Sequence, residues 1–356
     1  MIASPVGFDL IMAFILVITL YIAMVHKQIP RTHFLETVII ASIAILLMGL
    51  APATETVGPD RPNYAYMFSH ADKYIRDGYR DVGFTYYAKI CDIITGSVTG
   101  AFLISAFIYV FATIYFYKKS CPRKYIYMVL LCFLSLGFTN HYYNVLRSGM
   151  SIALILIAVS KNQSKLTTAI LSAIAVSFHV SGLLVVVGYL LTYKLKNTKI
   201  LYAFWGGIFV ALIIGIFDSF TQYLDLFSSM EDARLSSYLS GKDKGYKVGL
   251  RLDFIAYSFF PIIIGWYYIF RRNFKDEYYK RIYNTYLFCN ACWLVISKMP
   301  FNDRLAYLSW VFIPYLLLYP ILCSDEKNNF IVNRKILLFS LSVIVGGLNI
   351  FLKYIR

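Results

Sequence analysis

The chain has 356 residues, of which 59% are hydrophobic and 15% are charged, and its mean hydropathy is +0.63. A soluble protein of this size could not keep so much apolar surface from water, so the composition excludes that class and indicates a polytopic membrane protein. The net charge of +15 does not indicate nucleic-acid binding, because the basic residues gather in the loops of one predicted membrane face, as the positive-inside rule expects.

Apolar segments of roughly the 20 residues that a helix needs to cross a bilayer recur along the whole chain. The first is predicted to be a retained membrane span, since no signal-peptide cleavage site follows it. In chain order, spans are predicted near residues 8–25, 35–52, 98–117, 125–142, 144–160, 200–218, 253–270, 281–298, 305–322 and 336–352.

Residues 166–193 form a further apolar stretch, which lysine clusters flank on both sides. If both clusters lie on the inner face, the stretch must enter the membrane and return. His179 divides it into halves of about 20 Å as helices, which is shorter than the hydrocarbon core of roughly 30 Å. We therefore predict two short helices that meet near His179 in the outer half of the membrane. One tilted helix over the whole stretch is the alternative.

With this pair, the sequence predicts an all-α protein of about twelve membrane segments, forming a single integral membrane domain over residues 1–356. Two large outer loops are predicted, at about 53–97 and 219–252, and the first is expected to contain an amphipathic interfacial helix. The inner loops are short, so chemistry is expected at the outer face. The six cysteines indicate no disulfide framework.

Three arginines stand at predicted outward-facing starts of apolar segments: Arg147, Arg251 and Arg304. A helix N-terminus already carries partial positive charge, so an arginine there is unfavourable unless an anion is present. The guanidinium fork suits a phosphate, and we predict that the three bind a lipid pyrophosphate in one cavity. For Arg147 the alternative is snorkelling or a structural bond to a neighbouring helix. For the other two, Asp253 and Asp303 could cap the helices and neutralise the arginines.

Further candidates for the site lie in the outer loops and at helix starts. Asn144 precedes Arg147 by three residues, which predicts one shared helix face. His179 is either a packing residue or, since histidine gains and loses protons near neutral pH, a general base or a phosphate contact. In the first outer loop the better candidates are Asp60 and the pair formed by Arg80 and Asp81: an aspartate is the alternative general base to His179, and Arg80 would contact the pyrophosphate. The sequence contains no P-loop, HExxH or GxSxG motif, which disfavours nucleotide and serine-hydrolase chemistry.

Six short motifs, considered in order and by spacing, carry a resemblance that covers about residues 10–320. They are PDRPNY, GFTYYAKI, NVLRSGMSIALILIA, SFHVSGLL, LRLDFIAYSFFP and NDRLAYL. In this order they resemble the EpsG-like family of Wzy-type polysaccharide polymerases. The resemblance implies a GT-C-like membrane fold in the bacterial inner membrane, with the active site facing the periplasm. It also implies polymerisation of O-antigen or exopolysaccharide repeat units carried on undecaprenyl pyrophosphate, without a cofactor or metal, with arginines in place of a divalent cation.

The resemblance assigns residues motif by motif. Asn144 and Arg147 match the N-x-x-R motif, and His179 matches the histidine of F-H. The position where the family has a glutamate-like residue is Asp81 here. The remaining matches are Arg251 and Asp253 in R-x-D-F, and Arg304 as the later arginine. The implied partners are the lipid-linked oligosaccharide, membrane lipids and, as a further candidate, a chain-length regulator.

Two other functions compete with a polymerase, and a purely structural membrane subunit is the remaining alternative. An O-antigen ligase would share the arginines but would need a different acceptor cavity. A transporter of lipid-linked glycan would be expected to show inverted repeats and a binding site at the membrane midplane. The sequence shows no clear internal repeat, and its unusual charges lie at the outer boundary, which favours the polymerase.

Overall fold

The computed structural model describes residues 4–217, 249–299, 302–323 and 333–354, and the regular structure of these residues is entirely helical. Most of the second predicted outer loop, 219–252, lies outside the described residues. The helices are α1 (Pro5–Val25), α2 (Phe34–Gly49), α3 (Arg61–Ser69), α4 (Ala71–Arg76), α5 (Val82–Thr95), α6 (Val98–Ser120), α7 (Ile126–Phe133), α8 (Leu136–Tyr143), α9 (Leu146–Ala158), α10 (Lys165–Phe178), α11 (Gly182–Lys194), α12 (Thr198–Ile213), α13 (Leu252–Trp266) with a π-helical turn (Tyr267–Arg271), α14 (Glu277–Val295), α15 (Asp303–Trp310), α16 (Ile313–Cys323) and α17 (Arg334–Tyr354).

Five helical stretches of the described chain are long and apolar enough to cross a membrane: Pro5–Val25, Val98–Ser120, Leu252–Arg271, Asp303–Cys323 and Arg334–Tyr354. Several shorter apolar helices of 10–17 residues accompany them, α2 and α9–α12 among them. The all-α, multi-pass class is therefore confirmed. The number of twelve membrane segments, the single membrane domain and the GT-C-like arrangement stay predictions.

The predicted pair of short helices is present. Helix α10 ends at Phe178 and α11 begins at Gly182, and His179 between them has extended backbone angles, φ −163° and ψ 127°. The alternative of one continuous helix over residues 166–193 is wrong. The depth of this junction in a membrane stays a prediction.

Two predicted spans are broken in the structure. The span 125–142 divides into α7 and α8, where Ser135 adopts extended backbone angles. Lys353 donates a hydrogen bond to the carbonyl of Leu134 at this break, with 3.1 Å between Nζ and O, and so satisfies an acceptor that a continuous helix would bond itself. The span 305–322 likewise divides into α15 and α16 at residues 311–312.

Residue packing separates the chain into two units, Met1–Val186 with Ile313–Arg356, and Val187–Phe312. In the first unit, the terminal helices α1 and α17 run antiparallel. Lys353 near the end of α17 contacts Asp9 near the start of α1. Lys335 near the start of α17 donates to the carbonyls of Met24 and His26 where α1 ends.

The expectation that the cysteines form no disulfide needs a correction. The structure bonds Cys121, which follows α6, to Cys323 at the end of α16. The two residues are 202 positions apart, and they meet because α16 packs against α7, which begins just after Cys121. Sequence spacing carries no sign of this packing.

In the second unit, side-chain hydrogen bonds fix the directions of four helices. Tyr202 of α12 bonds Tyr283 of α14, and Trp205 bonds Asn290 2.9 Å away, so α12 and α14 run parallel. The hydroxyls of Tyr283 and Tyr286 donate to the carbonyls of Ile262 and Ser258, so α13 is antiparallel to α14. Bonds from Asn290 to Ser309 and from Trp293 to Asn302 make α15 antiparallel to α14 as well.

Helices α13 and α15 are therefore parallel, and both begin at the same end of the second unit. Trp310 Nε1 donates to Ser258 Oγ at 2.7 Å, which fixes their relative height. At 1.5 Å per residue, Arg251 and Arg304 both lie roughly 10 Å before this bond along their helices. The two arginines thus lie at the same end of this unit and at about the same height along the two parallel helices.

The buried ion pair between the terminal helices yields a prediction about stability. Lys353 and Asp9 side chains are only 7% and 2% exposed, and removing one partner leaves the other charge buried. We expect Lys353→Met or Asp9→Leu alone to lower the free energy of unfolding by about 3–5 kcal/mol, and the double variant to lose less. Thermal unfolding in detergent measures this. Lys89→Met, which breaks an exposed pair with Asp72, is the control. A double variant as unstable as the sum of the single variants would contradict the prediction.

Candidate functional site

Three predicted site residues of the first unit meet at one point. The carboxylate of Asp81 accepts a hydrogen bond from Arg147 Nη1. The Nδ1 atom of His179 lies 3.3 and 3.4 Å from the two oxygens of the same carboxylate. Arg147 Nη1 also donates to the hydroxyl of Tyr79 at 2.5 Å. We call Asp81, Arg147 and His179 the carboxylate cluster.

Each member of the carboxylate cluster stands at a helix end. Asp81 directly precedes α5, where a negative charge is favourable beside the helix N-terminus. Arg147 lies in the first turn of α9. His179 terminates α10 and has no helical backbone angles of its own. At a helix end, a side chain can project beyond the packed faces of the helix.

Contacts between α9 and α10 hold His179 beside the start of α9. Ser151 of α9 donates to the His179 carbonyl at 3.5 Å, and Thr168 of α10 donates to the Ala158 carbonyl at 2.8 Å. These contacts make the two helices antiparallel, with the start of α9 next to the end of α10. The backbone of the junction is thereby tied to the same helix that carries Arg147.

A glycine that the sequence reasoning did not select allows α5 to approach α10. A Cβ atom at Gly83 would lie 2.9 Å from the backbone carbonyl carbon of Ser177 and would also collide with its side-chain oxygen. Gly83 is two residues after Asp81, and Ser177 is two residues before His179. The close approach of the two backbones therefore brings the carboxylate to the imidazole. Its only sequence signal is a glycine in the first turn of a helix, where it lowers helix propensity.

Asp81 is the most enclosed member of the carboxylate cluster. Its side chain is 4% exposed, against 23% for Arg147 and 29% for His179. Burial by itself would raise the pKa of the Asp81 carboxyl, but the hydrogen bond from His179 and the charge of Arg147 together hold that pKa below its usual value. Asp81 is therefore a carboxylate at neutral pH.

The carboxylate also fixes the orientation of the histidine. Nδ1 of His179 faces Asp81, and the ring geometry turns Nε2 away from it. A histidine held in this manner can donate through Nδ1 and accept a proton at Nε2. The cluster can thus present one basic nitrogen, positioned from behind by a charged partner.

The predicted helix face shared by Asn144 and Arg147 is wrong. Asn144 ends α8, and α9 begins at Leu146, because the predicted span from residue 144 starts later than expected. Asn144 Nδ2 donates to Asn140 Oδ1 at 2.6 Å, whereas its own Oδ1 is buried with no partner among the described residues. Gly58 packs against this group, since a Cβ there would lie 2.6 Å from Asn144 Oδ1.

The other two predicted residues of the first outer loop, Asp60 and Arg80, lie next to helix starts. Asp60 is half-buried just before α3, and Arg80 is exposed immediately before Asp81. The neighbouring Arg61, which was not selected as a candidate from the sequence, is fully buried. Its guanidinium donates to carbonyls at the end of α2, with 2.9 Å from Nη2 to the Ala51 oxygen, and lies 3.9 Å above the Phe102 ring.

In the second unit, both predicted arginine–aspartate pairs stand at helix starts. Arg251 is held by Asp253, with 3.3 Å from Nε to Oδ1 and 3.1 Å from Nη2 to Oδ2. Asp303 accepts a hydrogen bond from the Tyr307 hydroxyl at 2.7 Å, and Arg304 is half-buried in the first turn of α15. Arg147 belongs to the other unit, so the convergence of all three arginines stays a prediction.

The described residues contain no group of three or more histidine, cysteine, aspartate or glutamate side chains placed to hold a metal ion.

The contact between Gly83 and Ser177 yields a prediction. Gly83→Ala should push α5 away from α10 and separate positions 81 and 179. If both positions are replaced by cysteine, oxidation should cross-link them efficiently with Gly83 present and several-fold less in the Gly83→Ala background, as measured by mass spectrometry of the digested protein. Gly347→Ala is the control, since a Cβ there meets nothing within 4 Å. Equal cross-linking in all three backgrounds would argue against a positioning role for Gly83.

Comparisons with known proteins agree with the resemblance seen in the sequence. A family model described as the EpsG family matches residues 36–352, which is most of the chain. No curated protein and no solved structure matches it. The chain belongs to the EpsG family, which is associated with exopolysaccharide biosynthesis.

Proposed function

We propose that this EpsG-family protein is a glycosyltransferase that polymerises O-antigen or exopolysaccharide. It would join repeat units carried on undecaprenyl pyrophosphate at the periplasmic face of the bacterial inner membrane, without a metal ion. The observation that supports this proposal most is the carboxylate cluster, in which a buried carboxylate orients a half-buried histidine at the junction of two short helices. The family and the several candidate membrane spans supply the context.

His179 is the proposed general base. Its Nε2 takes the proton of a hydroxyl on the acceptor sugar while the hydroxyl oxygen forms a bond to the anomeric carbon of the donor. The bond between that carbon and the pyrophosphate breaks, and the pyrophosphate leaves with the electron pair. The glycan chain then continues through the new glycosidic bond. A pyrophosphate is a good leaving group, so the main need is stabilisation of its developing charge.

Asp81 is proposed as the residue that positions His179 rather than as a second base. Its carboxylate keeps Nδ1 protonated and stabilises the imidazolium that forms when Nε2 accepts the proton, as the aspartate does in serine-protease triads. Arg147 pairs with Asp81, and Arg147 also donates a hydrogen bond to the Tyr79 hydroxyl. This role accounts for the enclosed position of Asp81. A general base must be accessible to the substrate, whereas a residue that only orients the base does not have to contact the substrate.

Arg251 and Arg304 are proposed to bind the pyrophosphate. They lie at one end of the second unit, and each guanidinium could offer paired donors to phosphate oxygens. Asp253 uses the Nε and Nη2 edge of Arg251, which leaves the Nη1 side of that group for a ligand. Arg147, whose Nη1 is committed to Asp81 and Tyr79, contributes less to phosphate binding under this proposal than the sequence predicts.

Substitution of the proposed base tests this function. With purified protein and lipid-linked repeat units, His179→Gln should lower the rate of chain elongation by about 10²–10⁴-fold, the usual contribution of a general base. Asp81→Asn should lower it less, since the imidazole remains. His70→Gln is the matched control, because His70 is an exposed histidine at the end of α3. Wild-type elongation by His179→Gln would refute the assignment. Transfer of glycan to lipid A–core without elongation would favour a ligase, and lipid movement without transfer would favour a transporter.

Metal independence is a separate prediction. A divalent cation at a pyrophosphate needs hard oxygen ligands, and the outer acidic residues alternate with arginines, as in Asp60-Arg61 and Asp303-Arg304. Purified protein should therefore elongate chains in excess EDTA at an unchanged rate. Loss of elongation on chelation, with recovery on adding magnesium or manganese, would show a metal-dependent transferase instead.

A further inference from the structure

The second unit carries a strongly basic end, opposite the end that holds Arg251 and Arg304. The end of α11, the start of α12, the turn after α13 and the start of α14 meet there, since Asn284 of α14 donates to the Leu195 carbonyl at 3.5 Å. Tyr202 near the start of α12 also bonds Tyr283. We call the eight basic residues of these segments the basic rim: Lys194, Lys196, Lys199, Arg271, Arg272, Lys275, Lys280 and Arg281.

The two acidic residues within these segments are already engaged locally. Asp276 caps α14 by accepting a hydrogen bond from the Tyr279 backbone at 2.8 Å. Glu277 pairs with Lys280 at 3.1 Å. Most of the positive charge of the basic rim is therefore not balanced by these acids. Five of its members are exposed: Lys194, Lys196, Lys199, Arg271 and Lys275.

Aromatic side chains beside the basic rim indicate where it stands relative to lipid. Trp266 and Phe270 are 40% and 36% exposed, and they lie five residues and one residue before Arg271, at the end of an apolar stretch. The Arg271 guanidinium lies 5.6 Å from the Trp266 ring centre. Exposed aromatic rings next to basic residues are typical of the boundary between hydrocarbon and water, at the level of the lipid headgroups.

One arginine of the basic rim is positioned by an aromatic ring. The Arg281 guanidinium stacks 4.1 Å above the Tyr193 ring. Lys194 follows Tyr193 directly, and Lys196 and Lys199 continue along the short connection into α12. The arginine is thus stacked on Tyr193, and three exposed lysines follow that tyrosine in the chain.

We propose that the basic rim binds the headgroup of an anionic phospholipid. Arg281 and the three lysines contact the phosphate, and the acyl chains run beside Trp266 and Phe270. The phosphodiester of a phospholipid fits these residues, because it supplies negative charge at the level of the lipid headgroups, where the basic rim is placed by its aromatic neighbours. This site is separate from the proposed glycan site and does not depend on it.

Binding of dioleoyl phosphatidylglycerol to the purified full chain in detergent tests the proposal, with dioleoyl phosphatidylcholine as the neutral lipid. Native mass spectrometry reports the bound lipid. We expect the wild type to prefer phosphatidylglycerol, and Lys194→Gln/Lys196→Gln/Lys199→Gln to bind it at least about tenfold more weakly, which corresponds to ~1.4 kcal/mol. The charge-retaining variant Lys194→Arg/Lys196→Arg/Lys199→Arg should bind like the wild type, which separates loss of binding from loss of folding.

A charge-matched control lies on the first unit. Lys73→Gln/Arg76→Gln/Lys89→Gln removes three positive charges elsewhere and should leave the lipid preference unchanged. An equal loss in this control would mean general charge attraction and would overturn the proposal. So would a wild type without preference for phosphatidylglycerol, or displacement of the lipid by inorganic phosphate at millimolar concentration, which would indicate a site for free anions.

Discussion

The carboxylate of Asp81 is almost fully enclosed by protein, and an enclosed charge is costly unless opposite charge and hydrogen-bond donors compensate it. Arg147 and His179 provide this compensation from different parts of the first unit, and Arg147 also donates to the Tyr79 hydroxyl. The need to compensate this one charge therefore couples the start of α5, the start of α9 and the end of α10. A change at any of these ends alters the hydrogen bonds of the same carboxylate, and through it the orientation of the histidine.

Helix ends elsewhere in the first unit follow a related rule. Carbonyls at a helix C-terminus lack partners within the helix, and water cannot supply them inside an apolar bundle. Basic side chains supply them instead. Arg61 serves the end of α2, Arg334 the end of α16 through the Ile321 carbonyl, and Lys335 the end of α1. These basic residues are thus structural, and an arginine near a helix end does not by itself indicate a ligand.

Sequence alone predicted the features that depend on local pattern. The break at His179 followed from helix length and flanking lysines, and the choice of Asp81, Arg147 and His179 followed from charged or titratable residues beside apolar segments. The sequence alone did not predict the break between α7 and α8. Lys353, which bonds the Leu134 carbonyl at this break, lies 219 residues away in the chain. The burial of Arg61 was missed as well, for a different reason. A charge among other charges in a loop resembles a solvated one until its packing partners are known.

The ion pairs suggest when positive charge becomes available during the proposed reaction. In the resting state Arg147 is balanced by Asp81, so the carboxylate cluster has little net charge with which to hold a substrate. When Nε2 of His179 accepts the acceptor's proton, the carboxylate cluster gains a full positive charge. The leaving pyrophosphate gains negative charge in the same step. Stabilisation that appears only as the bonds change favours the transition state over the bound substrate. A carboxylate cluster that gains its charge only during proton transfer can therefore assist departure of the leaving group without binding the substrate too tightly.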